Sequence, residues 1–168
     1  MSHYIEPIET EDWEPVRKWR NAQMDILRQD HKITRREQKE YALDYYKDPK
    51  DRKLYSFLTA AINPFDSDVL IGYGGFVNIN KEEKSAEISF LMDPKRKEDL
   101  LLYTVEWLLF LAFLRIESKK MGITTWKSET YMDTKDPTRA IHIHGIHAIF
   151  GAQIKIDENG NGRQEWKI

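Results

Sequence analysis

Residues 100–114 form an apolar run in which Glu106 is the one charged side chain. The run is short of the roughly 20 apolar residues a membrane-spanning helix needs. A helix apolar nearly all round belongs inside a protein, so the chain has to fold around it. Local signals mark its ends. Asp99 is a good N-cap, Lys119 and Lys120 suit the last turn, and Gly122 suits the C-cap. On its N-terminal side lie two strand-like stretches, residues 70–80 and 85–92, joined by the turn 81–84. The predicted unit is a strand hairpin that runs into one long buried helix.

The remaining sequence reads as layers around that unit. A strand is expected over 4–8 and a helix over 11–22, with Thr10 as its cap. Residues 24–30 read as irregular or partly helical. Thr34 and Glu37 match the capping box, which predicts a second helix over 35–46, ended by Asp48 and Pro49. A strand is expected over 54–62 and a turn over 63–68. Gly72, Gly74 and Gly75 in the next strand point to a bulge or a close backbone approach. After the long helix come a strand over 123–131, a helix over 138–150 and two terminal segments, 152–156 and 163–168, that pair as a hairpin or form a strand with a short terminal extension. The pass from residues 85–92 through the helix to 123–131 favours a parallel pair. The expected fold class is α/β of the α+β type, a mixed, mainly antiparallel sheet flanked by helices, in a single domain over residues 1–168.

Composition excludes several functions. The chain has no cysteine, so disulfides, thiolate metal sites and a cysteine nucleophile are ruled out. The net charge of −2 argues against bulk attraction to nucleic acid or an anionic membrane. The positive runs at 35–36 and 95–97 are short and have acidic neighbours. The N-terminus lacks the basic and apolar regions of a secretory signal, and a cytoplasmic location is expected. His142, His144 and His147 share one face neither as helix nor as strand, so no metal site is expected.

The order of elements resembles the GCN5-related N-acetyltransferase superfamily almost end to end. The resemblance is nearest to the branch that acts on ribosomal-protein N-termini, spermidine or amino sugars. It is carried by Trp19-Arg20-Asn21, by Ile71-Gly72-Tyr73-Gly74-Gly75, by residues 86–94 and 125–131, and by Phe150-Gly151-Ala152. It implies that the fourth strand and the following helix hold acetyl-CoA, the acyl donor. Phe90, Leu91 and Met92 would line the pantetheine arm. The turn after them departs from the family's glycine-rich pattern. It has no glycine, which hinders close approach of backbone to a diphosphate, and Lys95, Arg96 and Lys97 would have to compensate.

The resemblance also implies roles for single residues. Glu87 is the expected base that deprotonates the acceptor amine; otherwise it is a surface carboxylate paired across the hairpin with Lys81 or Lys84. The family's tyrosine acid, four residues before the closing glycine, falls on His147 here, and Tyr131 is a second acid candidate. Ala140 stands where an asparagine often contacts the cofactor. Trp19, Arg20, Asn21, Arg28, Gln29 and Tyr73 are expected on the acceptor side, with Trp19 also readable as core. The implied activity is acetyl transfer by direct attack on a primary amine of an amino sugar, polyamine or protein N-terminus. A homodimer is compatible with the family, the terminal strands being natural edges. The competing reading is a non-catalytic domain of the same fold that serves as a binding or assembly module.

Overall fold

A seven-stranded sheet in the order β1-β2-β3-β4-β5-β7-β6 runs through the computed structural model, which describes residues 2–27, 29–49, 51–61, 66–132 and 137–168. The strands are β1 His3–Pro7, β2 Lys53–Thr59, β3 Val69–Asn80, β4 Ser85–Met92, β5 Thr125–Thr130, β6 Gln153–Ile156 and β7 Gly162–Lys167. The helices are α1 Trp13–Ala22, α2 Arg35–Lys47, α3 Leu100–Met121 and α4 Pro137–Ile149. Among the described residues only β4 and β5 pair in parallel, and the other pairs are antiparallel. The expected order of elements and the mixed, mainly antiparallel sheet are both present.

Strand alternation divides the core into two layers. Leu54 joins Ile8, Trp13, Val16 and Ala42 under α1 and α2, while its neighbour Tyr55 joins the larger cluster under α3. Successive strand residues face opposite sides, so these helices cover opposite faces. The large cluster sets Tyr103, Trp107, Phe110, Leu111 and Leu114 of α3 against Phe57, Phe76, Ile88 and Trp126. Phe90 stacks on Phe110 with centroids 4.1 Å apart.

Gly74 shows why β3 carries glycines. A Cβ there would stand 2.1 Å from the carbonyl oxygen of Ser89 on β4. The strands approach too closely for any side chain at that point, as the sequence suggested.

Several local expectations hold. Thr34 accepts from the Glu37 amide and Glu37 returns the bond, so α2 starts at its capping box. Asp99 caps α3 by accepting from the Leu102 amide, and Gly122 ends it in the left-handed conformation. Others need correction. A 3-10 turn, Thr10–Asp12, precedes α1, and the reciprocal contact is the Glu9 amide donating to Asp12 at 3.0 Å. Thr10 lies inside that turn, whose N-cap is Glu9, so Thr10 is not the cap. The turn between β4 and α3 is itself a 3-10 turn, Pro94–Glu98. Strand β2 ends at Thr59 rather than at 62. Residues 63–65 of the turn expected over 63–68, and the residue before Pro137, lie outside the described residues.

Candidate functional site

The parallel strands β4 and β5 part company halfway along. They pair from Ser85–Thr125 to Glu87–Lys127 and no further, although β4 runs on to Met92 and β5 to Thr130. Helix α3 fills the space beneath β4, and α4 packs against β5, β6 and β7. The divergence leaves a cleft of about 260 Å³ through the sheet. Glu87 sits at its apex, where the pairing stops. Phe90 and Leu91 line one wall, Ser128, Thr130 and Tyr131 the other. Trp107, Ile143 and His147 line it from the helices.

The expected catalytic residues are thus brought together: Glu87, Tyr131 and His147 all line this cleft. Glu87 is half-buried and accepts from the side-chain amide of Asn78 at 2.9 Å, rather than pairing with Lys81 or Lys84. The Tyr131 hydroxyl donates to Glu129 at 2.6 Å. His147 is 2% exposed and lies between the rings of Trp107 and Trp166. Burial pushes its pKa down to about 3, so the ring is neutral at pH 7. A neutral imidazole is a poor proton donor to a thiolate. It keeps one ring N–H to offer, and Gln164 is the polar side chain beside it. Helix α4 packs this face inward.

The two ends of an acetyl-CoA molecule would meet different surfaces. The pantetheine arm fits. The unpaired edge of β4 offers backbone groups, and the cleft is lined by apolar side chains. Met92 itself is buried in the core, and its carbonyl accepts from the Gln23 side chain at 3.0 Å. Gln23 in turn accepts from Arg139 at 2.8 Å. The diphosphate cradle does not fit. The amides of Lys95 and Arg96 are spent on Asp93, and those of Leu102 and Tyr103 on Asp99. The Asp99 carboxylate stands at the helix N-terminus that would otherwise favour an anion. Arg96 is turned inward onto the fully buried Glu106. Lys95 and Lys97 remain exposed.

The acceptor-side residues are scattered. Asn21 makes two hydrogen bonds with the backbone of Ile33 and accepts a third from the Gln29 side chain, so both are committed to structure. Trp19 and Arg20 are half-buried and do not line the cleft. Burial raises the phenol pKa of Tyr73, with Arg20 close enough to oppose the shift. Arg28 lies outside the described residues. The cleft is instead closed on this side by Ile26 and Leu27, which follow α1. They were missed because residues 24–30 carry no periodic signal; two apolar side chains in a polar loop were the only hint. Arg139, also missed, lies beside Ala140, the residue that marked a lost contact. No cluster of three or more metal-ligating side chains occurs among the described residues. None of their helices is long and apolar enough to cross a membrane.

No protein-family model matches the chain, and no curated protein matches its sequence. Solved structures do match its shape. A spermidine N-acetyltransferase from Vibrio cholerae in complex with CoA and spermine superposes with a TM-score of 0.67 at 13% identity, over 99% of this chain and 94% of that one. An N-acetyltransferase from Staphylococcus aureus Mu50 gives 0.66 at 12% identity, over 99% of both chains. A Salmonella typhimurium structure with its cofactor acetyl-CoA gives 0.67 at 11% identity, over 99% and 94%. The fold is therefore that of the GCN5-related N-acetyltransferases, as the order of elements implied.

Proposed function

We propose that the protein is an acetyl-CoA-dependent N-acetyltransferase acting on a primary amine. The observation that carries the reading is the parting of β4 and β5 immediately beyond Glu87, which leaves a carboxylate at the apex of a cleft with a free strand edge. Bound there, acetyl-CoA supplies the thioester whose carbonyl carbon the amine attacks and whose carbon–sulfur bond then breaks. Glu87 takes the proton that the amine nitrogen loses, directly or through water. Tyr131 gives a proton to the departing sulfur, a role that suits it better than the neutral His147. The His147 ring N–H serves as a hydrogen-bond donor inside the cleft. Lys95 and Lys97 meet the diphosphate as side-chain charges, in place of backbone amides. Amino sugar, polyamine and protein N-terminus all remain acceptors compatible with the site.

One observation favours a second reading. The turn before α3 spends its amides internally and Arg96 is drawn inside, which suits a domain of this fold that binds a partner without catalysis. Thermal unfolding with and without acetyl-CoA separates the two. A ligand that binds only the native state raises the melting temperature, by the equivalent of about 2.7 kcal/mol at a hundred times its dissociation constant. A concentration-dependent rise supports the transferase. No rise at millimolar acetyl-CoA would leave the binding module.

A further inference from the structure

The outer face of α3 carries an apolar stripe from Leu101 to Ile116, with exposed Arg115 at its edge. Leu101 is 76% exposed, Val105 and Leu109 44%, and Ile116 58%. Ala112 is also exposed. Spacings of three and four residues place all five on one stripe of the helix. Between residues 100 and 114 no exposed side chain is charged, because Glu106 is fully buried against Arg96. Together the stripe offers on the order of 400 Å² of apolar surface, a size that on a soluble protein marks an interaction site. A helix apolar on every side is normally covered on every side, yet the sheet covers only one flank of α3.

From this we infer that the stripe is the contact surface for a second copy of the chain, with the two α3 helices packed antiparallel. The stripe is close to palindromic about the point between Leu108 and Leu109. A two-fold axis there sets Leu101 opposite Ile116 of the second copy and Val105 opposite its Ala112. The small Val–Ala pairs flank the crossing and let the helices approach to 8–10 Å. The charges at the ends complement each other. Exposed Glu98 precedes the stripe and exposed Lys119 follows it, and the same axis brings each beside the other's counterpart. An isologous contact requires this self-complementarity. The groove between β1 and α3, lined by His3, Ile5, Phe57, Leu109 and Phe113, adjoins the stripe. It supplies further surface toward the roughly 800 Å² per partner typical of a stable interface. This assigns the dimer to the helix layer, not to the sheet edges β1 and β6, and it holds whatever reaction the cleft performs.

Sedimentation velocity of the full chain across micromolar concentrations tests the inference. A reversible monomer–dimer equilibrium is expected. Ala112→Glu should raise its dissociation constant at least about tenfold, equivalent to 1.4 kcal/mol. Its circular dichroism should not change, because the site is exposed and glutamate is a good helix former. Glu98→Lys should weaken the dimer, and adding Lys119→Glu should restore it. A chain that stays monomeric at every concentration overturns the inference, and so does a dimer indifferent to Ala112→Glu or to the charge swap. Co-flotation of a monomeric chain with anionic lipid vesicles, lost in Ala112→Glu, would give the stripe to a membrane instead and also overturn it.

Discussion

Arg96 lays its guanidinium on the carboxylate of Glu106, which has no solvent exposure, and the Nε–Oε2 distance is 3.1 Å. His3 approaches the same carboxylate at 3.1 Å. The pair ties the turn before α3 to the body of that helix and to the edge strand β1. It also removes from the surface one of the three cations a diphosphate would otherwise meet. Breaking a buried pair leaves a charge without its counterion, so Arg96→Ala should cost about 3 kcal/mol in urea unfolding. Replacing both partners, Arg96→Leu with Glu106→Leu, should recover most of that loss. A double variant no more stable than Arg96→Ala would mean that the pair is not what holds this turn.

Glu87 should matter for turnover and not for donor binding. Glu87→Gln keeps the shape and the contact with Asn78 but cannot take a proton. The acetylation rate should fall between about 100-fold and 10,000-fold, the range typical of a lost general base. The rise in melting temperature with acetyl-CoA should survive. Equal turnover in the two proteins would remove Glu87 from the role assigned to it.

Acid unfolding should proceed in two windows. The buried His147 has a pKa lowered to about 3, below its ordinary value near 6.5. Below pH 6.5 the unfolded chain therefore binds a proton that the folded chain refuses, and stability falls from pH 6.5 toward 3. The Glu117 carboxylate accepts from Lys120, Lys53 and Tyr55, and its pKa is held down to about 2, with Lys120 the largest cause. Its contribution is complete above its unfolded value near 4.5 and is lost as pH falls through 2. Urea midpoints measured against pH should flatten in the upper window for His147→Phe and in the lower one for Glu117→Gln. The opposite assignment, or no change in either slope, would contradict these placements.

Gly74 should tolerate no side chain. In Gly74→Ala the new methyl would have to displace the backbone of Ser89 and Phe90 on β4, which forms one wall of the cleft. The expected loss is several kcal/mol, at the severe end of single substitutions. Gly145→Ala is the control: nothing stands within 4 Å of its added Cβ, and α4 should be slightly stabilised. Comparable melting temperatures for the two variants would refute the close approach of β3 to β4.

Much was legible in the chain because it is decided by neighbours in sequence. The ends of α2 and α3 follow from Thr34 with Glu37, from Asp99 and from Gly122, whose capping contacts span at most a few residues. The strand hairpin, the long helix and the parallel return follow from hydrophobic pattern and connection length. The resemblance then placed Glu87, Tyr131 and His147 on elements that do converge. What sequence alone left undecided depends on groups far apart in the chain. Arg96 reads as a surface cation until Glu106 is found beside it inside the fold. His147 reads as a helix-surface histidine until Trp107 and Trp166 close over it and burial discharges the ring. Where β4 and β5 separate is seen only once α3 and α4 are packed side by side on one face of the sheet, in the same core cluster. The sequence by itself determined the elements and their order; only the tertiary structure decided which charges were neutralised and where the sheet opened, because burial and ion pairing are properties of contacts that no local pattern encodes.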